Sequence, residues 1–574
     1  MSDYNKILLN YLRETSDGIS FYDCFRLCAS KENLDALARP ISQVVWGRRG
    51  TGKTTLLKAF SYRINNIVSK DSIAFYIMMS KISPTAEEIK SIHNHDIDLT
   101  IYIFKKLLMK VCVFIGEQYE QKEASLSWKA RSQFIDYYYL LEDAVSIGTE
   151  VLVSASKTSN SESTSEKDKG FSLSSELTSD KSTIFRPKLF FSSFRKKALT
   201  KKINKEIRFY VNTEFVHNTI TKMLDLLSIK HIYLCLDEFS DIDKIESTAK
   251  YSIQSQLAQL VKQTFLKSPY FSVKIAAVWN DSKIHDRSIN RNQGLEYKED
   301  IFEGPDLDIM FLDDNDEALK FFKEIIVNTY LLSKTETISD NEKQALMDAI
   351  IDKIFGEDHF RHIVCGSQGI ARCFAVLALE YINRSSREKG KLGFDQVFQL
   401  IIDQYLDNVR NRIPYALDIP QAVNEYVNNN DIRYFLINKK DYDRCEHVIK
   451  YLASKNYFMQ FPGHKTDRII RDHYKLFLLN YGNFLDARKM DLKILSYDSK
   501  LTKNGLLFPK ISKCLIENPE KYCIALPPDS QNQYYCSKCS SIIHISGNAC
   551  YCPSCGNAIQ PYNGLSFSED VVGC

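Results

Sequence analysis

A glycine-bearing loop near the amino terminus has the residue types and spacing needed to bind phosphate. It fits the pattern G-x-x-x-x-G-K-[ST] without a mismatch, follows an apolar strand-like run at 43–46, and opens a helical stretch at Thr54. Glycines there let successive backbone N–H groups converge on phosphates, which also lie at the positive end of the helix. We predict that this glycine loop, residues 47–54, and the residue after it bind a nucleotide through Gly47, Arg48, Arg49, Gly50, Thr51, Gly52, Lys53, Thr54 and Thr55.

Two side chains of the loop and two acidic residues far along the chain would together bind the phosphates and Mg²⁺ and activate water. Lys53 supplies a positive charge for the β- and γ-phosphates, and the Thr54 hydroxyl is a ligand for Mg²⁺. The apolar run 231–236 ends in Asp237 and Glu238, where a phosphate site needs its acidic half. We predict that Asp237 holds the Mg²⁺ shell and Glu238 polarises the attacking water. The alternative is an acidic surface pair at a strand end.

The residues around Asp237 also separate the nucleotide classes. A Ras-like GTPase would have D-x-x-G, whereas this chain has Asp237-Glu238-Phe239-Ser240. Residues 438–441, Asn-Lys-Lys-Asp, imitate the guanine-reading NKxD but follow Asp237 by about 200 residues, beyond a helical segment. That is too far for a compact GTPase sheet, so we predict that the nucleotide is ATP.

A cysteine cluster near the carboxyl terminus predicts a zinc site. Cys536-x-x-Cys539 and Cys552-Pro-Ser-Cys555 form two knuckles, and two such hairpin turns close a tetrahedral four-thiolate shell. A closed shell leaves no open position for water, so the Zn²⁺ would be structural. A segment this short buries too little core to fold alone, and metal binding supplies the missing free energy. Cys550 and His544 remain alternative ligands.

These candidate site residues require a sheet to position them. The chain has 574 residues, which suggests three or four domains at roughly 150 residues each. Strand-like runs lie at 43–46, 73–79, 231–236 and 271–279, and helical patterns at 85–145, 215–227 and 316–383. The sequence predicts an α/β core with a parallel sheet over 1–310, containing an insertion at about 82–205. After it come a helical lid at 311–395, a further α/β domain at 396–505, and a zinc ribbon with a tail at 506–574.

The domain at 396–505 shows a strand at 433–437, a helix at 442–455 and a strand at 457–462. This order resembles a winged helix, a module that often places a helix in the DNA major groove and equally often packs against protein. A basic rim accompanies it, formed by Arg433, Lys439, Lys440 and Arg444. Double-stranded DNA and a protein effector are therefore both candidate partners.

The overall composition gives little support to either partner. With 75 Lys+Arg against 72 Asp+Glu the formal net charge is +3, so any basic surface must be local. The serine-rich stretch 151–183 and the lysine cluster after it form either a solvated insert or a partner contact. We find no bilayer-spanning apolar run and no signal peptide, and predict a cytoplasmic protein without a membrane partner.

Four segments together resemble the AAA+ class of P-loop NTPases, and within it the origin-recognition-like and neighbouring STAND-type ATPases of bacteria. They are WGRRGTGKTTLLKAF, YLCLDEFSDID, VKIAAVWNDSK and GSQGIARCFAVLALEYI. The resemblance implies that Asn280, with Asp281 as its rival, is the sensor 1 residue. It also implies that Arg372 is the sensor 2 residue and reaches the γ-phosphate from the lid. The alternatives are a strand-end cap for Asn280 and a solvated helix arginine for Arg372.

The chain departs from that class in the spacing of its motifs. Asp237 follows Lys53 by 184 residues because of the insertion. Neither Arg287 nor Arg291, which follow the predicted sensor strand, is assigned as an arginine finger. Assembly into a homo-oligomer therefore stays open.

We predict an ATP-hydrolysing switch that couples nucleotide state to DNA or protein, in DNA maintenance or phage defence. The alternative is a STAND-type signalling scaffold with little turnover that recruits a separate effector. A plain nucleotide-binding scaffold is a third possibility, against which the Asp237-Glu238 pair argues. We find no nuclease, protease or deaminase constellation in the sequence.

Overall fold

The computed structural model describes most of the chain between residues 19 and 561. The described residues are 19–29, 31–68, 71–85, 87–89, 92, 98–145, 211–244, 252–278, 281–288, 291–308, 315–334, 339–413, 418–430, 433–461, 474–487, 522–526, 533–536, 542–544 and 559–561. They divide into two compact units, one formed by residues up to 81 and from 228 onward, the other by residues 82–227.

The elements of the described residues are numbered in chain order. The strands are β1 Gln43–Trp46, β2 Ser72–Met78, β3 His231–Asp237, β4 Phe271–Ala277, β5 His285–Ser288, β6 Arg291–Gly294, β7 Phe302–Asp306, β8 Tyr434–Asn438, β9 Phe458–Gln460, β10 Tyr474–Leu479, β11 Cys523–Ile524, β12 Gln533–Cys536, β13 Ile542–His544 and β14 Ile559–Pro561. The helices are α1 Phe21–Leu27, α2 Lys31–Leu37, α3 Lys53–Arg63, α4 Leu99–Lys122, α5 Trp128–Val145, α6 Thr213–Leu226, α7 Ile253–Phe265, α8 Asn315–Lys334, α9 Asp340–Ile354, α10 Glu357–Gly366, α11 Ala371–Glu388, α12 Phe394–Asn408, α13 Asp418–Asn430, α14 Lys439–Ser454 and α15 Tyr481–Ala487.

The first unit is built on a five-stranded sheet in which every strand is parallel to its neighbours. The strand order is β2-β3-β4-β1-β7. Strands β3 and β4 are buried along their whole length, which explains why both read as continuous apolar runs rather than alternating ones. The predicted α/β class and parallel sheet are confirmed, although β4 ends two residues before the predicted boundary at 279.

Helix α3 covers one face of this sheet directly after the glycine loop. Its apolar residues Leu57 and Phe60 pack against Val45 of β1 and Ala276 of β4, and the Phe60 ring meets Tyr233 of β3 edge-on at 5.2 Å. Their spacing is that of one helical face. Strands β5 and β6 form a separate antiparallel hairpin after β4.

Helices α8 to α12 and a second sheet share one hydrophobic core. The core is continuous from Ala318 to Leu526. The second sheet has the order β11-β8-β10-β9, with β10 antiparallel to both β8 and β9. Helix α14, between β8 and β9, is broken at Cys445, whose φ of −113° and ψ of 17° are not helical. Since burial of common apolar surface favours a fixed arrangement, these helices and this sheet form one body.

Arg433 lies inside this shared core, so its assignment to a basic rim was wrong. Only 1% of the residue is exposed. Its guanidinium donates to Cys365 Sγ of α10 and to the Leu479 carbonyl of β10, each at 3.1 Å, and lies 4.8 Å from the centre of the Tyr481 ring. Arg433 can be buried between α10 and β10 because its guanidinium has a hydrogen-bond acceptor on each of them. Lys439 and Lys440 are exposed as expected.

The second unit is helical throughout its described residues. It begins where the predicted insertion begins, and it also includes α6. Asp98 caps α4 by accepting the Ile101 N–H, and Tyr119 of α4 stacks on Phe134 of α5 at 4.3 Å. The serine-rich stretch and the lysine cluster lie outside the described residues. None of the described helices is long and apolar enough to cross a membrane.

Candidate functional site

The five parallel strands bring their carboxyl ends to one edge of the first sheet. In open parallel sheets this edge is where ligands bind. The glycine loop follows β1 there, Ser80 follows β2, Asp237 ends β3, and Asp308 follows β7. Because β4 lies between β1 and β3, the segment after β4 lies between the glycine loop and Asp237.

The backbone of the glycine loop takes conformations that favour glycine. Gly50 and Gly52 have φ values of +86° and +102°, in the left-handed region. Gly52 is the amino-terminal cap of α3 and offers no capping side chain, so the first N–H groups of α3 are left to other acceptors. The Thr51 hydroxyl donates to the Arg48 carbonyl at 2.9 Å and closes the turn. A loop of this shape with a helix behind it can bind an anion.

Lys53 is folded back onto the loop. Its Nζ donates to the carbonyls of Gly47 at 2.7 Å and Arg48 at 2.8 Å. Burial lowers the pKa of the Lys53 ammonium to about 8, and the nearby carboxylates of Asp308 and Asp237 oppose that effect. A phosphate group at the loop would replace neutral carbonyl acceptors with charged ones, which a buried ammonium favours.

Asp237 and Glu238 are each held by a residue of the β2 segment. Asp237, only 1% exposed, accepts the Tyr76 hydroxyl at 2.7 Å through one oxygen and the Glu238 N–H at 2.9 Å through the other. Glu238 has a φ of +55°, unusual outside glycine, and accepts a hydrogen bond from the Ser80 hydroxyl. Sequence reasoning missed Tyr76 and Ser80, because their role depends on β2 being the neighbour of β3.

The two arginines of the loop point to different partners. Arg49 forms an ion pair with Asp241, in the turn after Glu238. Arg48 donates its N–H to one oxygen of Asp308 at 2.7 Å and its Nε to the other at 2.9 Å, and its Nη2 donates to the Gln368 carbonyl. Asp308 was also missed from the sequence; its only signal is its position just after an apolar-flanked strand.

The segment after β4 is only partly described, and Asn280 lies outside the described residues. Asp281 donates its N–H to Val278 at 3.1 Å, and its carbonyl accepts from Gln254 of α7 at 3.0 Å. The fully buried Gln254 also donates to the Ser240 carbonyl at 3.3 Å. Gln254 therefore joins the turns that follow β3 and β4, another role that sequence patterns did not reveal.

Arg372 begins α11 next to the glycine loop. Its N–H donates to the Gly50 carbonyl at 3.1 Å, while its side chain is exposed. Arg287 and Arg291, neither of which is assigned as an arginine finger, lie in the β5–β6 hairpin. The structure thus brings Lys53, Asp237, Glu238 and the backbone of Arg372 to the same edge of the sheet.

The predicted zinc ligands fall almost entirely outside the described residues. Cys536 is the last residue of β12 and His544 the last of β13, in an antiparallel sheet of order β13-β12-β14. Cys539, Cys550, Cys552 and Cys555 are not among the described residues. Within the described part, no group of three or more metal-binding side chains could hold an ion.

Nucleotide affinity should fall as the pH rises above 8, because Lys53 then loses its proton in the free protein. Bound phosphate favours the ammonium, so binding at higher pH must also take up a proton. We expect the dissociation constant for ADP to rise about tenfold between pH 8 and 9.5, measured by calorimetry. In Lys53→Arg, where the cation keeps its proton, the curve should be flat. An equal rise in both proteins would contradict the role of Lys53.

No protein-family model matches the sequence, and no curated protein matches it. The fold and the site nevertheless define a class of protein: an α/β protein whose parallel sheet carries a candidate phosphate site at its carboxyl edge. The function is therefore argued from the residues at that edge.

Proposed function

We propose that the protein is an ATP-binding and ATP-hydrolysing switch that couples its nucleotide state to a DNA or protein partner. One observation carries the proposal. Lys53 and Asp237, 184 residues apart in the chain, come to the same carboxyl edge because β1 and β3 both pair in parallel with β4. A partly buried cation and a buried carboxylate on opposite sides of β4 suit a phosphate group with its metal ion.

Each residue would have a separate part in the reaction. The N–H groups of the glycine loop and Lys53 bind and orient the phosphates. The Thr54 hydroxyl and the Asp237 carboxylate are oxygen donors, the ligand type that Mg²⁺ prefers, and these two would hold the ion. When bound, Mg²⁺ neutralises charge on the phosphate oxygens. Glu238 accepts a proton from the attacking water, while one of its two oxygens is held by the Ser80 hydroxyl.

The switch part of the proposal rests on helices α8 to α12, the predicted lid. Helix α11 begins against the glycine loop, since the Arg372 N–H is bonded to Gly50. A change in the loop on nucleotide binding would therefore shift the start of α11. Because α11 and the second sheet share one hydrophobic core, the second sheet would move with it. A ligand shifts such an equilibrium only through contacts that differ between the two states.

A slow-turnover signalling switch is the second candidate, and the resting geometry favours it. Glu238 is engaged by Ser80, and Lys53 by two backbone carbonyls. A partner that released these bonds would start hydrolysis. This candidate differs from the first only in what triggers turnover.

The DNA partner is supported by the topology of the second sheet. Helix α13, strand β8, the broken helix α14 and the antiparallel pair β9–β10 follow one another as in a winged helix. Lys439 and Lys440 are exposed at the start of α14, where phosphate contacts would be favourable. The loss of Arg433 from the basic rim weakens this interpretation.

Steady-state ATP hydrolysis with and without double-stranded DNA tests the proposal. We expect Mg²⁺-dependent hydrolysis that DNA accelerates. Basal hydrolysis that DNA leaves unchanged would favour the signalling switch. An absence of ATP binding by calorimetry in the presence of Mg²⁺ would exclude both.

The carboxyl-terminal segment should contain one structural zinc ion per chain, bound by Cys536, Cys539, Cys552 and Cys555. Replacing Cys552 and Cys555 together by serine should release the metal and unfold this segment, while ATP binding stays unchanged. Elemental analysis of protein purified without chelator measures the metal. Cys550→Ser is the matched control and should keep it. A wild-type protein without zinc would refute the assignment.

A further inference from the structure

Arg48 joins three separate segments of the first unit. Its backbone N–H and its Nε donate to the two oxygens of Asp308, at 2.7 and 2.9 Å, so one carboxylate fixes both the main chain and the side chain. The other end of its guanidinium donates to the Gln368 carbonyl. Arg48 thus links the glycine loop, the residue after β7 and the turn between α10 and α11.

That turn, residues 367–370, has a strained and buried backbone. Gln368 has a φ of +57° and is 2% exposed, and Gly369 follows with a φ of +75°. The turn also contacts the glycine loop directly, since a Cβ placed on Gly50 would lie 3.1 Å from Cγ2 of Ile370. A side chain added at Gly50, or a displacement of the glycine loop, would therefore displace this turn as well.

The carbonyl of Arg48 is one of the two acceptors of Lys53. It accepts the Lys53 Nζ at 2.8 Å and the Thr51 hydroxyl at 2.9 Å. A phosphate that pulls the Lys53 ammonium out of the loop would lengthen this bond, because the ammonium would move away from the carbonyl. Arg48 therefore contacts both the Lys53 ammonium, which would bind phosphate, and the turn that precedes α11.

We propose that Arg48 is the positioning residue that couples occupancy of the glycine loop to the turn between α10 and α11. The inference rests on the proposed function and adds a residue to it. When phosphate draws Lys53 away, the Arg48 carbonyl keeps the hydrogen bond from the Thr51 hydroxyl but loses the one from the ammonium, and the peptide group between Arg48 and Arg49 shifts. Because Asp308 ties the backbone N–H of Arg48 to its Nε, a shift of the Arg48 backbone carries the guanidinium with it and changes its bond to Gln368. The backbone at the start of α11 then follows.

This coupling differs from the one expected of Arg372. The Arg372 side chain is exposed, and its bond to the loop is made by its backbone, which any residue there could provide. The guanidinium of Arg48 is instead mostly enclosed, with 15% of its side chain exposed, and its partner Asp308 has 6%. Arg48 therefore makes side-chain contacts that a substitution can remove.

Hydrogen exchange of residues 366–380 tests the inference on the full-length protein. The wild type should exchange differently with a non-hydrolysable ATP analogue than with ADP, at saturating concentrations of each. At nucleotide concentrations raised until the variant is saturated, Arg48→Met should lose that difference, whatever the change in its affinity. Arg49→Met is the matched control, because Arg49 pairs with Asp241 and not with the turn, and it should keep the difference. Arg48→Lys should restore part of it, since lysine keeps the charge but cannot reach two partners at once.

The possible failures are distinguishable. A wild type that binds neither nucleotide refutes the proposed function, whereas one that binds both without an exchange difference refutes only the coupling. A difference that survives in Arg48→Met, or that Arg49→Met loses equally, assigns Arg48 a purely structural role. If Arg48→Met does not fold, Asp308→Asn removes the anchoring charge with little change in volume, and it should also abolish the difference.

Discussion

Replacing Glu238 by glutamine should leave ATP binding within about threefold of wild type and lower kcat by about 10²- to 10⁴-fold. Glutamine has nearly the same shape and can still accept a hydrogen bond from Ser80 through its amide oxygen. It cannot take a proton from water. Lys53 and Asp237, which act on binding, are unchanged. The loss should therefore appear in kcat and not in affinity, measured by steady-state hydrolysis and by calorimetry.

Glu299→Gln provides the control for this experiment. Glu299 is an exposed carboxylate in the turn that precedes β7, and its loss should change neither constant. If Glu238→Gln hydrolysed ATP at the wild-type rate, the base would have to be another residue and the assignment would be wrong. A variant that failed to bind ATP would instead show that Glu238 shapes the loop.

Replacing Lys53 by alanine should weaken ATP binding by about 100-fold, the equivalent of about 3 kcal/mol. The phosphates lose a charge-assisted hydrogen bond, a contact of about 1.5–3 kcal/mol. Unlike Glu238→Gln, this change acts on binding before any chemistry. The protein should remain folded, because within the described part of the chain the Lys53 Nζ donates only to carbonyls of its own loop. Calorimetric titration with ATP and Mg²⁺ measures the effect.

Arg63→Ala is the matched control, since Arg63 ends the same helix and pairs with Asp35 away from the loop. It removes a positive charge from α3 at a distance of about 15 Å along the helix, and affinity should change less than threefold. Equal losses in both variants would indicate a general effect of charge on α3. Unchanged binding in Lys53→Ala would remove the main support for a phosphate site.

The sequence alone determined the parts of this protein whose conformation depends on near neighbours. The motif predicted a glycine loop followed by a helix opening at Thr54, and the structure has left-handed Gly50 and Gly52 followed by a helix that begins one residue earlier, at Lys53. The apolar run 231–236 before Asp237 predicted a strand, and β3 spans His231–Asp237. Such patterns can be read locally because φ and ψ preferences and the run of apolar residues in a strand are properties of a few neighbouring residues.

Only the tertiary structure decided which residues accompany these motifs. Tyr76 and Ser80 reach Asp237 and Glu238 because β2 pairs with β3, and Asp308 reaches Arg48 because β7 pairs with β1. Strand order is a property of how the whole sheet packs, and no short segment encodes it. Arg433 also shows that the tertiary structure decides a residue's environment, here against the expectation from its sequence. Its charge predicted a surface position, yet the packing of α10 against the second sheet gave it buried acceptors. A side chain's environment depends on which distant surfaces meet it, and that is fixed only when the cores close.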